Sequence, residues 1–271
     1  MKRTVIIVSA SSDIGRELAK RYASQGVQVI GTYRSASSLG DLKEIKGVQL
    51  FHCDLSSKQS IQSFIKKMAT LRITWDTFIS CAGTEEPIGT FFKCDFDEWS
   101  NSVHVNAIEQ LRIMHGIYKY RSKRKVSNVV YFAGGGTNNA VPHYSAYTAS
   151  KIMLIKMCEL LDAENKDLNV FIVGPGWVKT KIHYQTIKAA QRAGKNYLKA
   201  KEFMKADTAG TSMDDIFHGI EWFVNAGRKV SGGRNFSIVH DQWRGSKSKM
   251  MTQRLLKDSN MYKLRRHKND Y

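Results

Sequence analysis

Short runs of apolar, largely β-branched residues recur along the chain and alternate with longer segments in which apolar residues return every three or four positions. Runs of the first kind are typical of buried strands, and segments of the second kind are typical of amphipathic helices. Because the strands are apolar on both faces and separated by helices, the pattern indicates a parallel sheet covered on both sides. The predicted strands are residues 5–8, 27–32, 48–53, 77–80, 128–132, 170–173 and 235–239.

The segments between these strands predict the helices. One long helix should begin at Asp95 or Asp97 and run to about residue 120, and another should carry Tyr147. The predicted fold is therefore α/β: a single domain with a Rossmann-type, doubly wound parallel sheet of about seven strands flanked by helices. The other predicted helices are residues 13–25, 58–69 and 213–225.

Composition agrees with one sizeable domain, since the chain has 271 residues, of which 42% are hydrophobic and 3 are prolines. The apolar run at residues 5–8 is too short for a signal peptide, and no stretch approaches the roughly 20 apolar residues of a membrane span. Four cysteines are scattered without CxxC spacing. We therefore expect no metal site, no disulfide framework and a reduced, cytoplasmic protein.

The formal net charge of +18 stands out. Such a charge favours an anionic partner, which could be nucleic acid, a membrane surface or an anionic small molecule. Basic residues concentrate at 179–205 and 244–268. Because there is no aromatic-interleaved RNA motif and no helix-turn-helix pattern, nucleic-acid binding is the weakest of these interpretations.

Tyr147 and Lys151 are four residues apart at the start of a predicted helix, so their side chains should lie on one face. A phenol with a pKa of about 10 is a poor acid or base at neutral pH, and a nearby cation stabilises its phenolate. The pair could therefore exchange a proton with an alcohol oxygen. Taken alone, the spacing also fits an ordinary solvated helix face.

Other suggestive residues follow the predicted strands, at the edge where doubly wound sheets bind ligands. Small residues at 9–15 join the first strand to its helix, where backbone N–H groups can receive a phosphate. Residues 81–83 follow the fourth strand, Asn106 lies in the long helix, and residues 175–176 and Thr180 follow the sixth strand.

In this order and spacing, the chain resembles the short-chain dehydrogenase/reductase family over about residues 4–240. The resemblance implies that Tyr147 is the general acid or base, and that Lys151 lowers its pKa and holds the nicotinamide ribose. Asn106 would bend its helix and hold a water linked to Lys151. The implied cofactor-binding residues are Ser9, Ser11, Ser12, Asp13, Ile14, Tyr33, Arg34, Ser35, Asp54, Leu55, Cys81, Ala82, Gly83, Tyr147, Lys151, Pro175, Gly176, Val178 and Thr180.

Two departures from the family pattern concern the site itself. The family's TGxxxGxG loop is matched by residues 8–15, VSASSDIG, in which only the last glycine remains. The family's catalytic serine position is Gly134, so Thr137, Asn138 or a backbone N–H would have to replace the missing hydroxyl. The two resulting hypotheses are a working enzyme and a catalytically degenerate, cofactor-binding regulatory protein.

The end of the second strand discriminates between the two nicotinamide cofactors. Binders of NAD usually carry an acid there, whereas this chain has Tyr33 followed by Arg34 and Ser35. A guanidinium suits a phosphate group through paired hydrogen bonds. The sequence therefore predicts NADP(H).

The remaining segments bear on substrate and assembly. Residues at about 179–212 should form a lysine-rich lid, which predicts an anionic substrate or else a solvated basic helix. The tail at 241–271 forms a basic extension and, with residues 231–234, resembles a bacterial subgroup linked to surface-polysaccharide or sugar-nucleotide pathways. Because the helices around Asn106 and Tyr147 are apolar on more than one face, we expect a homodimer or homotetramer.

Overall fold

The computed structural model describes residues 2–207 and 209–266. Its seven strands form one sheet in the order β3-β2-β1-β4-β5-β6-β7, and every neighbouring pair is parallel. The predicted doubly wound fold is confirmed. The strands are β1 Thr4–Val8, β2 Gln28–Tyr33, β3 Val48–His52, β4 Thr77–Ser80, β5 Ser127–Phe132, β6 Leu168–Gly174 and β7 Asn235–Ser237.

The helices cover both faces of the sheet. Four of them begin after a residue whose side chain accepts a hydrogen bond from the first turn, namely Ser12, Ser57, Asp95 and Ser212. The helices are α1 Asp13–Ser24, α2 Lys58–Thr70, α3 Phe96–Val103, α4 Glu109–Ile117, α5 Ser145–Glu164, α6 His183–Ala189, α7 Asn196–Lys205, α8 Met213–Ala226, α9 Arg228–Ser231 and α10 Lys247–Lys257.

The two faces of β1 show how the core is divided. Val5 and Ile7 belong to the core under α1 and α8, whereas Ile6 and Val8 belong to the core under α2, α4 and α5. All four side chains are completely buried. Successive strand residues point to opposite faces, so a strand covered on both sides must be apolar at every position. This is why the apolar runs located the strands to within two residues.

The strand order reverses at β1, which pairs with β2 on one side and with β4 on the other. In open α/β sheets the ligand crevice lies at this point, outside the carboxyl ends of the strands. The loops that leave β1, β4, β5 and β6 therefore converge on one cleft.

The predicted long helix between residues 95 and 120 is interrupted. A π-helical turn, His104–Ile108, separates α3 from α4. Such turns widen the backbone spacing locally and release carbonyl groups from the regular ladder. The interruption falls on Asn106, in agreement with the local bend that the family resemblance implies.

Four of these helices were not predicted: α6 and α7 within the expected lid, the short α9 that follows α8, and α10 in the expected tail. The tail packs onto the fold, since Trp243, Met251 and Leu255 are buried in the same core as β1. Buried Arg234 donates hydrogen bonds to the carbonyl groups of Leu255 and Asp258. Residue 208 of the expected lid and residues 267–271 of the expected tail lie outside the described residues.

In the described part of the chain, no helix is both long enough and apolar enough to span a membrane. Within the same residues, no group of three or more histidine, cysteine, aspartate or glutamate side chains is arranged to hold a metal ion.

Candidate active site

Tyr147 and Lys151 lie on the first turns of α5. The Lys151 Nζ atom is 5.5 Å from the centre of the Tyr147 ring. Burial and, to a smaller extent, the charge of Glu85 raise the pKa of Tyr147 well above its usual value. Lys151 is not among the groups that shift this pKa, so the expectation that Lys151 lowers the pKa of Tyr147 stays a prediction.

Lys151 itself is only 2% exposed, and burial lowers its pKa to about 8. Among residues 2–207 and 209–266, its ammonium has no hydrogen-bond partner. A Cβ atom added at the exposed Gly83 would lie 3.9 Å from Lys151 Nζ, so the ammonium faces the cleft beside that glycine. A buried donor without an acceptor is costly, and the position fits the ribose hydroxyls of a nicotinamide dinucleotide.

Asn106 is completely buried and clamps the loop that follows β4. Its Oδ1 atom accepts a hydrogen bond from Thr84 N at 2.8 Å, and its Nδ2 atom donates to Thr84 O at 2.8 Å. Its backbone carbonyl accepts a hydrogen bond from Gln110 Nε2 at 2.7 Å. Asn106 therefore fixes the loop carrying Gly83, whereas the expected water linked to Lys151 stays a prediction.

The loop after β5 brings Gly134 against the tyrosine. A Cβ atom added at Gly134 would lie 2.3 Å from the Tyr147 hydroxyl oxygen, so the ring occupies the space that a serine side chain would need. The hydroxyl group of Thr137 donates to Gly134 O at 3.3 Å. Thr137 therefore lies close to Gly134, the position of the family's serine, but its hydroxyl proton is used in a hydrogen bond to the backbone carbonyl group there.

The phosphate loop, which we define as residues 9–15, makes a tight turn between β1 and α1. Ser9 adopts a left-handed conformation with φ of 58°, which is unfavourable for any residue with a Cβ atom. Ser12 accepts a hydrogen bond from Gly15 N at 3.2 Å and so caps α1. A Cβ atom added at Gly15 would lie 2.4 Å from Ser9 O, which explains why this glycine remains.

Asp13 connects the phosphate loop to the segment after β6. Its Oδ2 atom accepts a hydrogen bond from Lys181 N at 2.6 Å, and its Oδ1 atom is 3.9 Å from Lys181 Nζ. The carboxylate thus lies at the start of α1, where a doubly wound fold receives pyrophosphate. A dinucleotide fits this end of the cleft less well than the tyrosine end, because two like charges would share it.

The expected NADP-discriminating residues are at the surface beside β2. Arg34 is exposed, and within the described ranges its guanidinium makes no ion pair or hydrogen bond. Ser35 bonds to Ser37 through their hydroxyl groups at 2.7 Å, and the Tyr33 ring packs edge-on against His52. Arg34 and Ser35 fit a phosphate group, since one is an unpaired cation and the other carries an exposed hydroxyl.

The remaining predicted cofactor residues also line loops at this edge of the sheet. Asp54 accepts hydrogen bonds from the backbone and hydroxyl groups of Ser56, as an ordinary turn residue does. Thr180 is half-buried, and no side-chain hydrogen bond to it is formed within the described residues. Ser11, Ile14, Cys81, Pro175 and Thr180 are half-buried, Leu55, Ala82 and Val178 are buried, and Gly176 is exposed.

Two residues near the site, Arg16 and Glu85, could not be predicted from the sequence. Arg16 bonds to Leu39 O at 2.7 Å and pairs with Asp41, which holds the loop after β2 against α1. The half-buried Glu85 lies near Tyr147, and burial raises the pKa of Glu85 to about 7. Neither belongs to a short motif, and both depend on contacts between distant parts of the chain.

The basic residues of the expected lid are largely turned to solvent. Lys181, Lys188, Arg192 and Lys199 are all exposed. Lys179 instead donates to the carbonyl group of Ala206 and ties the ends of the lid together. Because these side chains are exposed, the structure favours a solvated basic helix over a basic lid that lines the substrate cleft.

Residues 3–191 match the family model described as short chain dehydrogenase. A 3-oxoacyl-[acyl-carrier-protein] reductase of Buchnera aphidicola is 25% identical over 193 residues, which is 67% of this chain and 75% of the relative.

Among solved structures, a Saccharomyces cerevisiae short-chain dehydrogenase/reductase matches with a TM-score of 0.78 at 17% identity, covering 89% of this chain and 97% of the other. An actinorhodin polyketide ketoreductase, crystallised with NADPH, matches with a TM-score of 0.74 at 18% identity, covering 87% and 95%. These structures agree with the doubly wound fold. Since the family model matches well over half of its residues, the chain belongs to the short-chain dehydrogenase/reductase family.

Proposed function

We propose that the protein is an NADP(H)-dependent oxidoreductase that interconverts a carbonyl and a hydroxyl group, acting on a sugar or sugar-nucleotide-like substrate. The observation that carries the proposal is the buried Lys151 side chain beside Tyr147, whose ammonium has no hydrogen-bond partner among the described residues. A structural lysine would be paired or exposed, since a buried charge without a partner is costly. Members of the family use nicotinamide cofactors, and Arg34 favours the phosphorylated form.

In the proposed reaction, the bound nicotinamide supplies or receives the hydride. Tyr147 transfers the proton at the substrate oxygen, as general acid in reduction and as general base in oxidation. Lys151 hydrogen-bonds to the ribose and offsets the negative charge that Tyr147 acquires, while Asn106 holds the loop carrying Gly83. Thr137 or a backbone N–H of the Gly134 loop supplies the contact that the family's serine makes.

A second candidate, a cofactor-binding regulator without turnover, is favoured by one observation. Asp13 lies where a pyrophosphate would be received and bonds to Lys181 instead. Against it stands the intact set of Asn106, Tyr147 and Lys151, which binding alone does not require. Nucleic-acid binding, inferred only from the net charge of +18, is less well supported.

Two measurements test the proposal. Binding of NADPH to the purified protein is followed by cofactor fluorescence, and NADPH oxidation is then measured with keto-sugars, sugar nucleotides and acyl thioester carbonyls. Turnover of a sugar carbonyl supports the proposal in full, and turnover of acyl thioesters alone would move the substrate toward that of the Buchnera relative. Binding without turnover of any carbonyl favours the regulator, whereas a steep loss of duplex DNA binding with salt would favour the nucleic-acid hypothesis.

We further propose that residues 1–240 form the catalytic domain, with a lid at about 179–212 and a basic extension at 241–271, and that the protein assembles as a homodimer or homotetramer in the cytoplasm. Two side chains on α5, Met153 and Leu160, are 38% and 43% exposed. A second copy could cover them. Light scattering tests the assembly, since a mass near 30.7 kDa would show a monomer.

A further inference from the structure

Glu85 lies in the loop that leaves β4 and is held there by the first lid helix. Gln185 of α6 accepts hydrogen bonds from Glu85 N at 2.7 Å and from Thr84 Oγ1 at 3.3 Å. The same Thr84 is bonded through its backbone to Asn106. The Glu85 backbone is therefore held by α6, next to the residue that Asn106 clamps.

A chain of hydrogen bonds leads from Tyr144 through Thr186 to the Glu85 carboxyl group. Thr186 donates to Glu85 Oε2 at 2.6 Å, and the hydroxyl oxygens of Tyr144 and Thr186 are 2.8 Å apart. A threonine hydroxyl has a single proton, so Tyr144 donates to Thr186 and the relay ends on the carboxylate. Oε1 has no partner within the described residues and is not sealed away from solvent. It remains an open acceptor.

The Glu85 carboxyl group is linked through Thr186 to Tyr144, a neighbour of the reacting Tyr147. Tyr144 immediately precedes α5 and Tyr147 lies in its first turn, and both pack in the same small cluster with Ile88 and Ala189. The charge of Glu85 raises the pKa of Tyr147, which places the two groups within electrostatic range. The titratable groups that face Glu85 are Tyr144, Tyr147 and the neighbouring carboxylate Glu86.

We propose that Glu85 is a specificity-determining residue whose Oε1 atom accepts a hydrogen bond from a substrate hydroxyl group next to the reacting carbonyl. The inference deepens the proposed function and rests on it. A substrate without that hydroxyl leaves a partly buried carboxylate unpaired, which is the strongest way for a site to reject an analogue. A substrate with a carboxylate there is repelled. The favoured class is therefore hydroxylated, locally uncharged carbonyl compounds.

The test uses three small carbonyl compounds that differ at this position: acetoin carries the hydroxyl group, butanone lacks it, and pyruvate carries a carboxylate. NADPH oxidation by the full chain is measured for the wild type, Glu85→Gln and the matched control Glu86→Gln. Glutamine keeps an acceptor for Thr186 and presents an amide N–H₂ group where Oε1 was. We expect the wild type to prefer acetoin over butanone about a hundredfold in kcat/KM.

Glu85→Gln should reduce this preference to less than about tenfold, because turnover of acetoin should fall more than turnover of butanone. Glu86→Gln should keep the wild-type preference. Because burial raises the pKa of Glu85 to about 7 and the ionised form is the better acceptor, the wild-type preference should grow between about pH 6 and about pH 8. In Glu85→Gln the acetoin preference should not change with pH. Should the glutamine variant not fold, Glu85→Ala must show the same loss of preference.

An unchanged acetoin preference in the folded Glu85 variants overturns the inference and leaves the proposed function standing. If the wild type reduces no carbonyl compound, the proposed function fails, and acetoin binding is then measured by the shift in thermal unfolding. Binding that is lost in Glu85→Gln and kept in Glu86→Gln supports the role of Glu85. Equal binding by the three proteins, or none, overturns it.

Discussion

At the tyrosine end of the cleft, Asn106, Tyr147 and Lys151 are all present and held by buried contacts, whereas at the phosphate loop two of the family's three glycines are replaced by Ser9 and Asp13. The first end leaves the Lys151 ammonium without a hydrogen-bond partner in the described part of the chain, as a ligand site does. The second end supplies its own anion, bonded to Lys181. The difference teaches that the residues proposed for proton transfer and those of the phosphate loop lie in separate segments of the chain, so that each set can change independently.

The largest effect should come from Tyr147→Phe, which tests whether the tyrosine end does chemistry. Turnover should fall by about 10²–10⁴-fold, since the proton donor is lost, while NADPH affinity should change little because the ring still packs. Tyr197→Phe, which alters another tyrosine of the same apolar cluster, serves as the control. Near-full activity in Tyr147→Phe would remove the catalytic assignment.

Gly134→Ser restores the family residue and tests whether the tyrosine end has adapted to its loss. We expect turnover to fall by about a hundredfold, because the new side chain would displace the Tyr147 hydroxyl group from its position. Thr137→Val, measured in parallel, should lower turnover if Thr137 has replaced the serine. A gain of activity in Gly134→Ser would show a decayed site rather than an adapted one.

Arg34→Asp probes the far end of the cleft, where the Arg34 guanidinium forms no ion pair or hydrogen bond with any described residue. The ratio of the NADPH and NADH dissociation constants should move toward NADH by about thirtyfold, since a charged hydrogen bond to the phosphate is lost and an acceptor for the free hydroxyl is gained. Lys43→Asp makes the same charge change at another exposed position near this loop and should leave the ratio unaltered. An equal shift in both variants would mean that only net charge matters.

Asp13→Gly addresses the comparison directly, because it restores a family glycine and removes the internal anion. NADPH should bind about tenfold more tightly, a change of about 1.4 kcal/mol. Asp13→Asn removes the charge and keeps the side-chain size, so it separates repulsion from steric obstruction. Weaker binding in both variants would indicate that the Asp13–Lys181 contact helps to shape the cofactor site.

Ser9→Gly should have the smallest effect and should appear in stability. The left-handed backbone at this position costs a residue with a Cβ atom roughly 1 kcal/mol, and glycine does not bear that cost. Tm should rise by about 2–4 °C. A matched Ser11→Gly change tests a serine of the same loop that is not in this conformation, and it should not raise Tm. Equal shifts would show that the loop as a whole, rather than Ser9, is strained.

The sheet was predictable because its strands are buried on both faces, so burial leaves an unbroken apolar run such as residues 5–8. The polar helices α6, α7 and α10 lack that pattern, and the π-helical turn at Asn106 has no local sequence rule behind it. In the candidate site, Asn106, Tyr147 and Lys151 could be found from their spacing along the sequence. The contact between Asp13 and Lys181 could not, since 168 positions separate them. Glu85 was missed because its environment, rather than its residue type, makes it unusual.

The packing of α10 has a consequence for how the protein is made. Met251 and Leu255 lie in the same core as Val5 and Ile7, and Arg234 ties the end of α10 to the segment before β7. The part of this core next to β7 therefore stays incomplete until α10 has been synthesised. When a core needs residues from late in the chain, its earlier residues expose apolar surface during synthesis. We expect this part of the core to close only once α10 has left the ribosome.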